Sequence, residues 1–224
     1  AGHRAARGTA AAIAALAAVA VARPSRRCPQ RREEPPRLTP GARSSCVALA
    51  AGGKGKVKSP RPKCVAFDLD GCLWYPDMYM LWGGGAPFAR QPDGGLLDRT
   101  GRPVTLHGGT RRALLELADD PNWEGVTVAV ASCCDEPAWA RECLAKFDLG
   151  DGSGRLMKDV ISIMEIHGGN KQGHLRSIAA AVGCGLDEII FFDNEPGNCN
   201  DVERLGVTCI FCPGGVTESV WEKA

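Results

Sequence analysis

Lys63-Cys64-Val65-Ala66-Phe67-Asp68-Leu69-Asp70-Gly71-Cys72-Leu73-Trp74 is an apolar run that ends in two carboxylates separated by one residue. A short apolar run of this kind is typical of a buried strand. Ligands of an open α/β sheet lie beyond the carboxyl ends of its strands, and alternation along an extended chain turns Asp68 and Asp70 to the same side. Two anions held this close repel each other unless a cation or a proton lies between them. The stretch therefore predicts a hard metal ion, with one carboxylate left to attack a substrate or to move a proton.

Strand-like and helix-like segments alternate from this point to the end of the chain. Strands are predicted near residues 64–69, 126–131, 160–163, 188–192 and 207–211, and helices near residues 111–118, 136–146, 171–182, 199–205 and 217–223. Asp135 is the expected cap of the second helix. Continuous apolar strands that alternate with helices indicate a parallel sheet with both faces covered. The predicted fold class is α/β, a Rossmann-like doubly wound parallel sheet with helices on both faces.

A Gly- and Pro-rich excursion over residues 83–109 separates the first strand from the first helix. Its segment Asp98-Arg99-Thr100-Gly101-Arg102 resembles the tip of a hairpin. The intervals 74–110 and 132–171 are both shorter than an independent domain, which usually starts near 50 residues. The fold is therefore expected to carry a minimal cap domain or none, and its site is expected to be open to solvent.

The formal net charge of +1 conceals two oppositely charged parts. Residues 1–63 hold 14 basic and 2 acidic residues, a charge of +12, and residues 64–224 hold 13 basic and 24 acidic residues, a charge of −11. We divide the chain into a basic arm, residues 1–62, and a catalytic domain, residues 63–224. The arm lacks aromatic residues between its basic ones, which argues against nucleic-acid binding.

The arm has the composition of an organellar address. A short apolar stretch over residues 10–22 suits a signal-peptide core, and the Arg-rich, acid-poor tract behind it suits a transit peptide. The stretch is too short to span a membrane. We therefore expect no membrane-spanning segment in the arm and no membrane association of the mature domain. The two features in series predict a disordered arm that directs import into a plastid, with a mitochondrion second. The alternative is a disordered basic tail without an address, in which case the protein is cytoplasmic.

The chain has 11 cysteines, and they do not form a disulfide framework pattern. Cys133 and Cys134 are adjacent, and several others fall inside strand-like runs. The pair Cys209 and Cys212 has CxxC spacing, but no second pair or nearby His completes a zinc site. We interpret the cysteines as small buried residues of a reducing compartment.

Polar residues at the predicted strand ends make up a constellation suited to phosphoryl transfer. After Asp68 and Asp70 come Ser132, Lys171 at a helix start, and Asp193-Asn194. Each is common alone, since a Ser at a strand end is usually a cap and a lone Lys usually lies in solvent. Together they supply what phosphoryl transfer needs: a nucleophile, a proton donor, metal ligands and donors around the phosphoryl oxygens.

With these motifs in order, the chain resembles the haloacid-dehalogenase superfamily, and within it the eukaryotic magnesium-dependent phosphatase (acid phosphatase) family. The similarity runs from about residue 63 to about residue 221. The arm has no counterpart. The segments that carry it are Phe67–Trp74, Asp98–Gly101, Ala131-Ser132, Phe147–Leu149, Glu165–Lys171 and Phe191–Ile210.

The resemblance implies a role for each site residue. Asp68 is the nucleophile that forms an aspartyl-phosphate. Asp70 protonates the leaving group, then activates water, and its backbone carbonyl helps to hold Mg²⁺. Ser132 donates to the phosphoryl group and Lys171 neutralises its charge. Asp193 completes the metal ligands Asp68, Asp70 and Asp193, with Asn194 beside it as a further phosphate-site residue.

Three positions depart from the family pattern. Cys72 stands where the superfamily has Thr or Val. Asn194 replaces a second Asp, which removes one negative charge near the metal. Ser132-Cys133-Cys134 replaces a sequence of the Ser-Arg-Thr type, so an Arg that faces the substrate is missing, and the substrate preference is open.

The function expected from the sequence is a Mg²⁺-dependent phosphomonoester phosphatase that acts through an aspartyl-phosphate on a phosphorylated small molecule or a phosphoprotein, such as phosphotyrosine or a sugar phosphate. Trp74, Tyr75 and Trp82 are candidate stacking surfaces, with core packing as the alternative. One other hypothesis is a phosphotransferase or mutase that uses the same intermediate. Another is a non-catalytic module that binds phosphate or a partner. The oligomeric state cannot be read from the sequence.

Overall fold

The structure is a computed structural model that describes residues 61–224. The disorder and the address predicted for the basic arm fall on residues 1–62, almost all of which lie outside the described residues, so both stay predictions. Within residues 61–224, no helix is both long and apolar enough to cross a membrane.

Nine strands and six α-helices alternate along the described chain. The strands are β1 (Cys64–Phe67), β2 (Trp74–Tyr75), β3 (Ala89–Arg90), β4 (Leu96–Leu97), β5 (Pro103–Leu106), β6 (Thr127–Ser132), β7 (Ile163–Ile166), β8 (Ile189–Asp193) and β9 (Thr208–Phe211). The helices are α1 (Thr110–Asp119), α2 (Pro137–Leu144), α3 (Met157–Val160), α4 (Lys171–Val182), α5 (Pro196–Glu203) and α6 (Glu218–Lys223).

Five strands form a parallel sheet in the order β7-β6-β1-β8-β9. The chain builds outward from the central β1 in one direction and then returns to build in the other, which confirms the doubly wound α/β prediction. The carboxyl ends of β1, β6 and β8 therefore lie side by side. In a sheet of this kind, that edge is where ligands bind.

Alternating side chains of β1 enter two separate cores, one on each face of the sheet. Cys64 and Ala66 pack with α4 residues such as Leu175 and Ile178. Val65 and Phe67 belong to the larger core on the other face. A strand that is buried on both faces explains the continuous apolar run in the sequence.

The excursion after β1 forms a four-stranded antiparallel sheet in the order β2-β5-β4-β3. Its strands have two to four residues, so it flanks the parallel sheet without closing over it. This agrees with the prediction of a minimal cap. The predicted hairpin tip connects β4 to β5, where Asp98 accepts a hydrogen bond from the Arg102 backbone N at 2.9 Å.

Asp98 is a buried carboxylate on which the excursion is assembled. Its Oδ1 accepts from the backbone N and the hydroxyl of Thr100, and its Oδ2 accepts from Gly85 N. Arg102 is bound to Asp98 and also donates to the carbonyl oxygens of Met80, Leu81 and Trp82. A side chain at Gly84 would collide with the Asp98 carboxylate. The hairpin tip therefore holds the residue 80–82 segment in place.

Two local predictions were wrong. The strand predicted at residues 160–163 lies three residues further along the chain: Val160 is the last residue of α3, and β7 runs over Ile163–Ile166. The Asp159 carboxylate accepts from Leu156 N at 2.9 Å, which starts a helical turn where the apolar pattern indicated a strand. Asp135 does not cap α2: the N-cap is Glu136 without a side-chain bond, and Pro at the helix start has no N–H to offer.

Replacement of Asp98 by Ala should lower the free energy of unfolding by about 2–3 kcal/mol, because it leaves several buried N–H donors without an acceptor. Burial alone would raise the pKa of Asp98, but hydrogen bonds from Thr100, Arg102 and Gly85 lower it well below the usual range. A carboxylate with a lowered folded-state pKa stabilises at pH values above its unfolded pKa, near 4. The difference in free energy of unfolding between the wild type and the variant should therefore decrease as the pH falls below about 4.

Urea denaturation at pH 7 and at pH 3 measures this difference. Asp93→Ala is the matched control, since Asp93 lies in the same excursion, is exposed, and accepts a side-chain bond from Gly95 N alone among the described residues. Equal loss of stability in the two variants would contradict the role assigned to Asp98.

Candidate active site

The carboxyl ends of three neighbouring strands bring the predicted site residues together, and all of them except the fully buried Asp193 line one cavity. Asp68 follows β1, Ser132 ends β6, and Asp193 ends β8. The cavity has a volume of about 190 Å³. The side chains that line it are Asp68, Asp70, Asp77, Tyr79, Ser132, Cys133, Cys134, Asp135, Lys171, Asn194, Glu195 and Asn198.

Lys171 is a buried cation held between two of the carboxylates. Its Nζ lies 2.6 Å from Asp68 Oδ1 and 3.3 Å from Asp193 Oδ2. It also donates to the carbonyl oxygen of Ala131 at 2.7 Å. Burial alone would lower the pKa of Lys171, but the charges of Asp68 and Asp193 outweigh it and raise the pKa. The ammonium group therefore stays charged in the folded protein.

The start of α4 places this lysine. Asn170 caps the helix by accepting a hydrogen bond from Gly173 N at 2.8 Å. Lys171 is the first residue of the helix and its side chain is 97% buried, with a relative exposure of 3%. The rigid helix start therefore presents the ammonium group to the strand ends at a fixed position.

The two acids of the first strand differ in their partners. Asp68 Oδ1 is bound to Lys171, and its other oxygen accepts no hydrogen bond from residues 61–224. Asp70 accepts from the indole N–H of Trp74 at 2.8 Å and from Met78 N at 3.2 Å. Burial raises the pKa of Asp70 to about 6, although these hydrogen bonds oppose the shift. Asp68 is thus in contact with a cation through one oxygen, whereas Asp70 retains a proton more readily.

Asp193 is fixed by residues that follow it. The side chain of Asn198 donates to both carboxylate oxygens, at 3.1 and 3.0 Å, and Glu195 N donates to Oδ1 at 2.7 Å. Asn198 was not among the predicted site residues. Its position five residues after Asp193, at the start of a helix, was the available signal, because a side chain in the first turn faces the preceding strand end.

Ser132 and Asn194 have polar atoms without protein partners. Ser132 is buried, with a relative exposure of 1%, and its hydroxyl makes no hydrogen bond within the described part of the chain. The amide oxygen of Asn194 is buried and has no hydrogen-bond partner among residues 61–224. Gly71 has a φ of +71°, and a Cβ there would lie 2.5 Å from Asn194 Nδ2. The glycine after Asp70 therefore leaves room for Asn194.

The residues that line the cavity fit a hard cation. Asp68 offers a carboxylate oxygen at the cavity, Asp193 is fully buried and does not line it, and the buried amide oxygen of Asn194 lacks a partner among residues 61–224. Oxygen donors of this kind are those preferred by Mg²⁺, which retains several waters and needs few protein ligands. An ion that keeps part of its water shell is therefore the type that suits the site. Residues 61–224 contain no cage of three or more His, Cys, Asp or Glu side chains.

The structure adds residues that the sequence did not single out and removes one that it did. Asp77, which precedes the 3₁₀ turn over Met78–Leu81, and Tyr79, which lies within it, both line the cavity. Trp82 follows the turn, and 83% of its surface is exposed. Trp74 is fully buried and binds Asp70, so core packing is its role and the stacking alternative was wrong. A short irregular segment without periodicity carries no sequence signal for which side chain faces the site.

The nine cysteines of the described residues are all free thiols, and six of them are buried. Cys212 is fully buried, with its Sγ 3.6 Å from that of Cys72, and Cys209 is half-buried. Cys133 is the exposed exception and lies at the cavity, where its Sγ is 3.9 Å from His174 Nδ1.

A doubly wound sheet with a carboxylate after its central strand, a buried lysine against that carboxylate and a small insertion in place of a cap domain defines a haloacid-dehalogenase-like hydrolase. Comparison with known families is more specific. The model of the Acid Phosphatase family matches residues 60–224. The chain belongs to this family, and the domain is a phosphatase.

Two curated relatives agree with this assignment. The chain is 33% identical over 152 residues to a haloacid-dehalogenase-like hydrolase superfamily protein of Schizosaccharomyces pombe, a match that covers 66% of this chain and 83% of that protein. It is also 33% identical over 157 residues to Magnesium-dependent phosphatase 1 of Homo sapiens, with 69% of this chain and 80% of that protein covered.

Solved structures are more distant. The N-terminal part of a Bacteroides fragilis protein, which contains a phosphatase domain complexed with Mg, matches with a TM-score of 0.45 at 19% identity, over 69% of this chain and 37% of that chain. A haloacid-dehalogenase-superfamily hydrolase of Ehrlichia chaffeensis matches with a TM-score of 0.48 at 10% identity, over 74% and 95%.

Replacement of Lys171 by Met should lower the free energy of unfolding by about 3 kcal/mol at pH 7, because it leaves the buried Asp68 and Asp193 without a cation. Burial raises the pKa of Asp193 even with the lysine present, and removal of the lysine charge, which opposes this shift, should raise it further. The loss of stability should therefore diminish as the pH falls and Asp193 takes up a proton.

Chemical denaturation at pH 7 and pH 5 measures the effect. Lys158→Met is the matched control, since Lys158 is exposed and makes no ion pair among residues 61–224. A Lys171→Met protein as stable as the wild type at pH 7 would contradict the view that this lysine balances the charge of the site.

Proposed function

We propose that the catalytic domain is a Mg²⁺-dependent phosphomonoester phosphatase that acts through a phosphorylated Asp68. The observation that carries the proposal is the pairing of Lys171 with one oxygen of Asp68 at 2.6 Å, while the other oxygen is unbonded at the cavity. A carboxylate held in this way keeps one oxygen available to attack phosphorus. The name of the human relative, Magnesium-dependent phosphatase 1, supports the same activity.

In the first step, the free oxygen of Asp68 forms a bond to phosphorus as the bond to the leaving oxygen breaks. Lys171 and the Ser132 hydroxyl stabilise the charge on the phosphoryl oxygens. Asp70 donates its proton to the leaving oxygen. A pKa near 6 suits this role, since a general acid works best with a pKa close to the working pH.

In the second step, water replaces the departed alcohol. The deprotonated Asp70 accepts a proton from this water, whose oxygen attacks phosphorus and breaks the bond to Asp68. Inorganic phosphate leaves, and Asp70 is again protonated. Division of a difficult displacement into two steps through a covalent intermediate is the advantage of a nucleophilic carboxylate.

Asp68, Asp193 and the backbone carbonyl of Asp70 would hold the metal ion, with Asn194 beside it. When bound, Mg²⁺ supplies positive charge that offsets the negative charge developing on the phosphoryl oxygens. Asn198 holds the Asp193 carboxylate in position, because its side-chain amide donates to both carboxylate oxygens.

The substrate class we propose is an accessible aryl or sugar phosphate, on a small molecule or on a protein. The described residues contain no domain above the cavity, and Tyr79 lines its rim with 55% of its surface exposed. A phosphotransferase or mutase would use the same first step. It differs in passing the phosphoryl group to an alcohol instead of water, which product analysis distinguishes.

Asp68→Asn should abolish turnover of an aryl phosphate, because an amide cannot form the covalent intermediate. The folded state should persist, as judged by circular dichroism. Rapid quenching of the wild type with substrate, followed by mass spectrometry, should find one phosphoryl group on the peptide that contains Asp68. Asp187→Asn is the control, since Asp187 is exposed and remote from the cavity. One tenth of wild-type activity in the Asp68→Asn protein would rule out this nucleophile.

Asn198→Ala should raise the Mg²⁺ concentration needed for half-maximal activity by about 10- to 100-fold, as removal of outer-shell partners commonly does. Chelator treatment followed by Mg²⁺ titration measures the shift. Asn200→Ala, on the exposed side of the same helix, should leave the titration unchanged. Superimposable titrations of the wild type and the Asn198→Ala protein would count against Asp193 as a metal ligand.

A further inference from the structure

Three carboxylates on the rim of the cavity have no role in the proposed chemistry. Asp77 precedes the 3₁₀ turn, Asp135 follows β6, and Glu195 follows β8, so that they approach the cavity from three different segments. None of the three side chains makes a hydrogen bond or an ion pair with residues 61–224. We refer to Asp77, Asp135 and Glu195 as the acidic rim.

Nothing among the described residues offsets this charge. Among residues 61–224, Lys171 is the one cationic side chain that lines the cavity, and it is bound to Asp68, Asp193 and Ala131. Burial raises the pKa of Asp77, and the charges of Asp68 and Glu195 add to the shift. The centre of the cavity thus suits a phosphoryl group, whereas its edge repels any second anion.

We propose that the acidic rim selects phosphopeptides that carry Lys or Arg beside the phosphorylated residue and rejects those with acidic neighbours. This inference rests on the proposed phosphatase activity and adds a substrate class to it. The phosphate of such a peptide reaches Lys171 and Ser132, while its flanking cations lie at the height of Asp77, Asp135 and Glu195.

Two further features favour a basic peptide. Tyr79 lies on the same rim, and its exposed ring offers a face to an Arg guanidinium. Residues 64–224, which hold the cavity, carry a formal charge of −11, with 13 basic and 24 acidic residues, whereas the whole chain carries +1. The acidic surroundings of the cavity, not the net charge of the chain, therefore favour a cationic substrate. The open edge of the sheet leaves room for the residues on either side of the phosphate.

The test compares two phosphotyrosine peptides that differ only in the residues flanking the phosphorylated one, Lys in the first and Glu in the second, with an uncharged aryl phosphate as reference. At low ionic strength, kcat/KM for the Lys peptide should exceed that for the Glu peptide by about tenfold or more. The ratio should fall as salt is added, because exposed charges are screened.

The double variant Asp77→Asn/Glu195→Gln should bring the ratio to within about threefold of unity. Because the readout is a ratio for one enzyme, a general loss of activity cancels. Glu124→Gln is the matched control: Glu124 is exposed, makes no side-chain bond among the described residues, and lies beyond the opposite end of β6. It should keep the wild-type ratio. If the double variant does not fold, the single variant Asp135→Asn replaces it in the test, because Asp135 is exposed. This variant should also lower the ratio of the two kcat/KM values.

The outcomes separate the two proposals. Equal kcat/KM values for the two peptides, or a preference for the Glu peptide, would overturn the role of the acidic rim while hydrolysis of the aryl phosphate upheld the phosphatase. Absence of hydrolysis with all three substrates in the presence of Mg²⁺ would overturn the proposed function and the rim with it. A wild-type ratio in the double variant would show that these carboxylates do not set the preference.

Discussion

Like-charge repulsion at the carboxyl edge of a parallel sheet is the constraint on which this molecule depends. Strands β1 and β8 are neighbours, and each ends in an aspartate that the protein keeps buried. Such a pair is stable only beside a positive charge. Lys171 supplies that charge from the start of a capped helix, and in the proposed mechanism the same contact leaves one oxygen of Asp68 available for attack. Stability and chemistry therefore rest on one interaction.

The excursion after β1 links the outer surface to this centre through a chain of hydrogen bonds. Asp98 holds Arg102, and Arg102 holds the carbonyl groups of residues 80–82. The 3₁₀ turn that ends there begins at Met78, whose backbone N donates to Asp70. The position of the proposed general acid is thus fixed by a hairpin tip some thirty residues away in the chain. A small insertion performs this positioning without the volume of a cap domain.

Much of this arrangement was predictable because it follows from strand ends. A parallel sheet brings the residues after its strands to one edge, so Asp68, Ser132 and Asp193 were expected near each other. Asp68 and Ser132 line one cavity, and the fully buried Asp193 shares Lys171 with Asp68. Lys171 was expected at a helix start, where it lies. These predictions succeed because they depend on periodicity and topology, which a sequence records directly.

The predictions that failed depended on local polar contacts. The Asp159 carboxylate accepts a hydrogen bond from Leu156 N and so starts a helical turn in an apolar segment. The indole N–H of Trp74 donates to Asp70, which keeps the ring in the interior. The sequence did not predict that Asn198 and the acidic rim lie at the site. Their positions depend on the conformations of the loops that follow the strands, and such loops have no repeating sequence pattern. Family membership identifies the centre of the site, whereas the rim that meets the rest of the substrate is decided by these irregular segments. The charge of the rim is therefore set by these irregular segments and not by the strand ends that place Asp68, Ser132 and Asp193.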